Sequence, residues 1–112
     1  MAVHEGLARG RWHAMTLAEQ LGNVGSEFER ALAAKRKGLP ERYARALERM
    51  LELLDLTRED PRWRGPRLRE LCRLRESACE TLEDAAPPAG SAEGLQRYFL
   101  AFAFAARNRR PA

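Results

Sequence analysis

Apolar residues recur at intervals of three and four along most of this chain, and four separate segments carry the pattern. In the first, Leu17, Leu21, Val24, Phe28, Ala31 and Leu32 share one helical face. Thr16-Leu-Ala-Glu19 ahead of it is a capping box, in which hydroxyl and carboxylate each take one free amide. Lys35-Arg36-Lys37-Gly38 ends it, with cations against the helix dipole and then a glycine stop. Gly22 and Gly25 lie inside this segment, where glycine is unfavourable by propensity, so they predict a close neighbouring helix. The second segment opens on Pro40, harmless where no amide is needed. Tyr43, Ala46, Leu47, Met50, Leu53, Leu54 and Thr57 form its inner stripe, with Glu48, Glu52, Asp55 and Glu59 outward, and Asp60-Pro61 closes it.

After the loop at 61–66, Leu68, Leu71, Cys72, Ala78, Cys79 and Leu82 form the inner face of the third segment. The fourth follows the loop at 85–90, is capped by Ser91, and turns Leu95, Tyr98, Phe99, Phe102, Ala105 and Ala106 inward. The helices are therefore expected at about 17–37, 40–59, 66–83 and 92–108. Helices of similar length joined by short loops pack antiparallel to their neighbours. The expected fold is all-α, an antiparallel up-down-up-down four-helix bundle over residues 16–110. Residues 1–15 hold no sustained period and two glycines, and read as a flexible N-terminal arm whose Trp12 docks on the bundle. The fourth helix also carries Leu100 and Phe104 on the side opposite its inner stripe. A helix apolar all round is buried on more than one side, so that face is covered either by the arm or by another subunit.

Composition agrees with an all-helical reading. The chain has 112 residues, enough for one modest core, with unbranched side chains dominant and no isoleucine. The net charge of +4 comes almost wholly from arginine and makes an anionic partner plausible. Cys72 and Cys79 sit two turns apart on one helix, roughly 10 Å between Cα atoms, too far for a disulfide with each other. They read as reduced core thiols of a cytoplasmic protein. No apolar run approaches the ~20 residues of a membrane span.

Chemistry-bearing motifs are scarce. His4 and His13 have no partner at ligand spacing, and no histidine follows residue 13, which excludes the Glu-x-x-His metal site that bundles can hold. No nucleophile motif or phosphate-binding glycine loop occurs, so no enzyme, cofactor or metal is expected. Connectivity gives the arginines more meaning. One pole of the bundle collects Arg9, Arg11, Arg58, Arg62, Arg64, Arg67, Arg107, Arg109 and Arg110 with few acids, chiefly Glu5, Glu59 and Asp60. Arg69 and Arg73 extend it along the third helix. The other pole sets Lys35, Arg36, Lys37 and Arg42 against Glu80, Glu83, Asp84 and Glu93 and is nearly balanced. Arginine forks suit phosphate, and Trp12 or Trp63 would stack on an unpaired base. The expectation is RNA or DNA bound through its backbone, with an acidic protein partner as the alternative.

The stretches LAEQLGNVGSEFERAL (17–32), RALERMLELLDLTRED (45–60), RLRELCRLRE (67–76) and QRYFLAFAFAARNRR (96–110) resemble a group of small bacterial four-helix-bundle proteins. The group comprises the accessory variability determinants of diversity-generating retroelements and the related 23S rRNA intervening-sequence proteins. The resemblance implies a basic homopentameric barrel that binds nucleic acid, in the retroelement case beside a reverse transcriptase and its template RNA. It transfers no individual binding residue. The Leu100 and Phe104 face fits such an assembly.

Overall fold

A computed structural model of the chain describes residues 5–108, with side chains from residue 9 onward. Five helices form: α1 (Glu5–His13), α2 (Leu17–Lys37), α3 (Pro40–Arg58), α4 (Pro66–Glu83) and α5 (Ser91–Asn108). Among the described residues there is no strand, so the protein is all-α and bundle-like. The helix from Glu5 corrects the expectation of an irregular arm over residues 1–15. Periodicity missed α1 because it is only 9 residues long and its stability comes from docking, not from an amphipathic stripe.

The expected punctuation operates at three helix ends. The Thr16 amide donates to Glu19 Oε1 at 2.8 Å and the Glu19 amide to Thr16 Oγ1 at 3.1 Å, completing the capping box. Gly38 takes φ 68°, and its amide bonds back to the last carbonyls of α2. Pro40 is the first residue of α3. Ser91 is a correction: it lies within the first turn of α5, and its buried hydroxyl has no partner. Gly90, at φ 82°, precedes the helix instead.

Helix α2 is the centre of the molecule, packing most extensively on α3 and α5, while α4 touches α2, α3 and α5 more thinly and α1 lies on α3. Leu21, Val24, Phe28 and Ala31 of α2 are fully buried among Met50 and Leu54, Leu71 and Ala78, and Phe99. Each large apolar side chain removed from water there contributes about 1.5–3 kcal/mol. Contact partners descend along one helix as they ascend along the other: Gly22 with Ala103, Gly25 with Phe99, Glu29 with Gln96 for α2 and α5. The same holds for Gln20 with the Asp60 that follows α3 and Glu27 with Arg49.

Three inward assignments change. Ala105 is exposed, because α5 leaves the core before its last turns. Cys72 and Cys79 are half-buried at the edge of α4, where Leu74 points inward instead. Trp12 does dock, but on α3 and α2, so it does not cover the second face of α5.

The two internal glycines of α2 have the predicted reason. A Cβ on Gly25 would stand 2.5 Å from Phe99 Cβ, and one on Gly22 would stand 3.3 Å from Ala103 Cα. Their absence lets α5 close on α2 and brings Phe28 and Phe99 to 5.5 Å between ring centres. Gly94, on α5, meets nothing within 4 Å. Gly25→Ala is therefore expected to lower stability by about 1–3 kcal/mol despite its better helix propensity. Gly94→Ala should raise stability by about 0.5–1 kcal/mol, both read from urea unfolding.

Candidate functional site

The most constrained polar group is Asp60, 2% exposed at the turn between α3 and α4. The preceding helix ends at Arg58, and the chain then turns inward, so this carboxylate is carried under α1 and α2. A buried carboxylate is tolerated only with full hydrogen bonding. Gln20 Nε2 donates to Asp60 Oδ2 at 2.9 Å, and Arg62 donates from its amide, Nε and Nη2. Gln20 Nε2 also reaches the Trp12 carbonyl, while its Oε1 accepts from Trp63 Nε1 at 2.8 Å. Trp12 Nε1 donates to Thr57 Oγ1 at 2.9 Å. The His13 ring, with Nε2 taken as its donor, bonds the Leu56 carbonyl. Burial works to raise the Asp60 pKa, but the bonds from Arg62 and Gln20 and the Arg62 charge outweigh it and hold the carboxyl well below the usual carboxylate range.

The predicted basic pole divides in two around this network. Arg62 is committed inward: it binds Asp60 and the Met15 carbonyl, and its guanidinium lies 4.6 Å from the Trp63 ring centre. Arg9 pairs with Glu59, Arg58 with Asp55, and Arg67 with Glu70. Arg58 also stands against the Cys72 thiol. Asp55 and Glu70 are thus two acids that raise the pole's negative count above the sequence expectation. Arg11, Arg69, Arg73 and Arg107 are exposed with no acidic partner among the described residues, and Arg64 bonds only the Pro61 carbonyl. Arg109 and Arg110 lie outside the described residues. Trp12 cannot stack on a base, because it is buried; Trp63 is half-buried with Arg62 over its ring.

A second cationic region was not read from the sequence. Between α2 and α3 lies a groove of about 640 Å³ lined by Glu27, Arg30, Lys37, Arg42, Arg45 and Arg49 over Ala33, Ala34, Leu39 and Ala46. Glu27 is buried, and one of its oxygens holds Arg30 at 2.7 Å and Arg49 at 3.4 Å. The signal was present as Arg30 and Lys37, seven apart, and Arg42, Arg45 and Arg49 at three and seven, but the groove exists only once two helices are paired.

Leu100 and Phe104 are 64% and 60% exposed, beside a hollow lined by Gly22, Ser26, Phe99 and Ala103. On the other side of α5, Tyr98 Oη donates to Glu70 at 2.7 Å, and burial, this bond and the Glu70 charge push its pKa up. Burial, helped by the Glu83 and Asp55 charges, likewise pushes the Cys79 thiol up and suppresses its thiolate, outweighing the lowering influence of Arg75. Among the described residues no three His, Cys, Asp or Glu side chains gather as a metal site, and no helix is long and apolar enough to cross a membrane. Comparison with protein-family models, curated proteins and solved structures returns no match.

Asp60 gives the structure a defined acid limit. Its pKa is depressed on folding, so its contribution is complete above about pH 4, the range where an unfolded carboxylate titrates. That contribution is lost as pH falls below this toward the folded value. Asp60→Asn should cost about 1–3 kcal/mol at pH 7, since a buried amide at position 60 cannot accept all the bonds that Gln20 and Arg62 donate to the carboxylate. The urea midpoint of the wild type should fall below pH 4 more steeply than that of the variant.

Proposed function

We propose that the protein is a non-enzymatic, homo-oligomeric, nucleic-acid-binding accessory protein. In this reading α2 to α5 are the four members of an antiparallel up-down-up-down bundle, and α1 braces one end. The descending order of contact partners between neighbouring helices supports that arrangement. The observation that carries the binding assignment is the set of exposed arginines at one end of the molecule with no acidic partner among the described residues: Arg11, Arg64, Arg69, Arg73 and Arg107. Guanidinium groups without a carboxylate beside them are the most available for phosphate, whereas the charge of Arg62 is already engaged by Asp60. The contacts would be to backbone phosphate, on RNA or DNA, without base reading. The resemblance adds a reverse transcriptase with its template RNA as the partner, and five as the subunit number.

The apolar face of α5 supports self-association, since two large apolar side chains more than half exposed on one helix face are better covered than solvated. Light scattering should give a multiple of the 12.7 kDa chain mass for the wild type and the monomer mass for Leu100→Glu and Phe104→Glu. An unchanged mass in both variants refutes the interface. Binding of a labelled 20-mer RNA should weaken steeply between about 50 and 200 mM salt, as counterion release requires. Reversal of Arg64, Arg69 and Arg73 to Glu should reduce affinity at least tenfold with the helical circular dichroism unchanged. Retained affinity in the folded triple variant removes this end of the molecule from the interface, and no binding by the wild type removes the function.

A further inference from the structure

The α2–α3 groove has a different character from the arginine end, and nothing above assigns it a ligand. Five cations face it and one carboxylate, an excess of four positive charges in one hollow. Glu27 is 6% exposed and fixes Arg30 and Arg49 from the inside, so their side chains are held at one end of the groove. Lys37, Arg42 and Arg45 are exposed and have no acidic partner among the described residues. Concentrating like charges in this way is unfavourable, and an anion shared among them relieves the repulsion. The floor is Ala33, Ala34, Ala46 and Leu39, which offers an apolar surface without a deep pocket for a bulky anchor.

Size and charge select the ligand class. A volume of about 640 Å³ lies within the ~300–1,000 Å³ of small-molecule sites. A nucleoside triphosphate carries about four negative charges near neutral pH, because the second ionisation of a terminal phosphate lies near pH 6. That charge matches the groove's excess, and the alanine floor suits the flat, uncharged part of such a molecule. An amphipathic acidic helix fits less well, since its affinity would need large apolar anchors and the groove has no place for one. We infer that the α2–α3 groove binds a small polyphosphate ester of nucleotide size, with Arg30 and Arg49 receiving one end of the phosphate chain and Lys37, Arg42 and Arg45 the rest. This site is separate from the arginine end and does not depend on the nucleic-acid reading.

The test uses the full chain, fluorescent ATP with EDTA present, and tripolyphosphate as competitor, at 150 mM NaCl. The wild type should bind with a dissociation constant below 1 mM, on the order of the weakest affinity a specific metabolite site shows. Tripolyphosphate should displace the nucleotide, and citrate at the same charge concentration should do so at least tenfold less well. R42E/R45E should weaken binding at least tenfold while the Arg64, Arg69 and Arg73 reversal leaves it within twofold. If R42E/R45E lacks helical circular dichroism, R42Q/R45Q replaces it with an expected loss of at least fivefold. Amide NMR shifts in the wild type give a reading that needs no variant, and tripolyphosphate should move Ala33, Ala34 and Ala46 first. Failure to bind, shifts that map to the arginine end, or equal competition by citrate would overturn the assignment. So would displacement by a 20-mer RNA at a lower phosphate concentration than tripolyphosphate, which would give the groove to nucleic acid instead.

Discussion

Burying a carboxylate in a protein of this size is a demanding condition, and most of one end of the molecule is arranged to meet it. Asp60 is almost wholly removed from water, yet it stays ionised because Arg62 and Gln20 surround it with donors. Those same donors tie together elements far apart in sequence. Gln20 belongs to α2, Trp12 to α1, Thr57 to α3 and Trp63 to the turn before α4, and each is bonded through the network to another. Breaking one bond leaves a buried donor or acceptor without its partner, so the cost spreads beyond the pair. The network therefore does for α1 and the 59–65 turn what apolar stripes do for the long helices.

This arrangement changes what the arginines mean. Read as a linear list they form one charged pole, but in three dimensions they fall into two populations. Arg9, Arg58, Arg62 and Arg67 have carboxylate partners, and the exposed pairs among them contribute little to stability, about 0–1 kcal/mol each. Their main effect is to remove positive charge from the surface field. Among the described residues the free population gathers mainly in two places, the end carrying Arg11, Arg64, Arg69, Arg73 and Arg107 and the groove carrying Lys37, Arg42 and Arg45. A basic composition fixes neither location, because an arginine beside a carboxylate and an arginine beside water count equally in a net charge.

The long helices were legible because their apolar positions and caps agree. Thr16 with Glu19, Gly38 and Pro40 each act locally, within one turn, and local chemistry is what a sequence displays directly. Gly22 and Gly25 were legible for a related reason, since a glycine inside a helix has few uses other than close approach. What was not legible depends on contacts between distant residues. Gln20 reads as a surface polar residue by type and is fully buried, because its partners come from α1 and the α3–α4 turn. Ser91 reads as a cap and is not one, because Gly90 in a left-handed conformation already turns the chain there. The groove is not visible in the sequence because its cations sit on two helices and become neighbours only when those helices pair.

Helix α5 presents the remaining imbalance. Its inner positions are filled by Phe99, packed on Phe28 through the space that Gly25 leaves open, and by half-buried Tyr98 and Phe102 in edge contact. Its contact with α4 is thin, and the bond from Tyr98 to Glu70 is the one hydrogen bond described between them. A helix so placed is held mainly by α2, so its outer face has no structural need to be apolar. Polar residues at positions 100 and 104 would serve the monomer equally well and keep it more soluble. In the proposed oligomer, Leu100 and Phe104 would be the residues that a second subunit covers. The adjacent hollow of Gly22, Ser26 and Ala103 would give a second copy in that proposed assembly a surface where backbones can approach closely. The glycines that admit Phe99 from within thus also shape the surface on which α5 would meet another subunit.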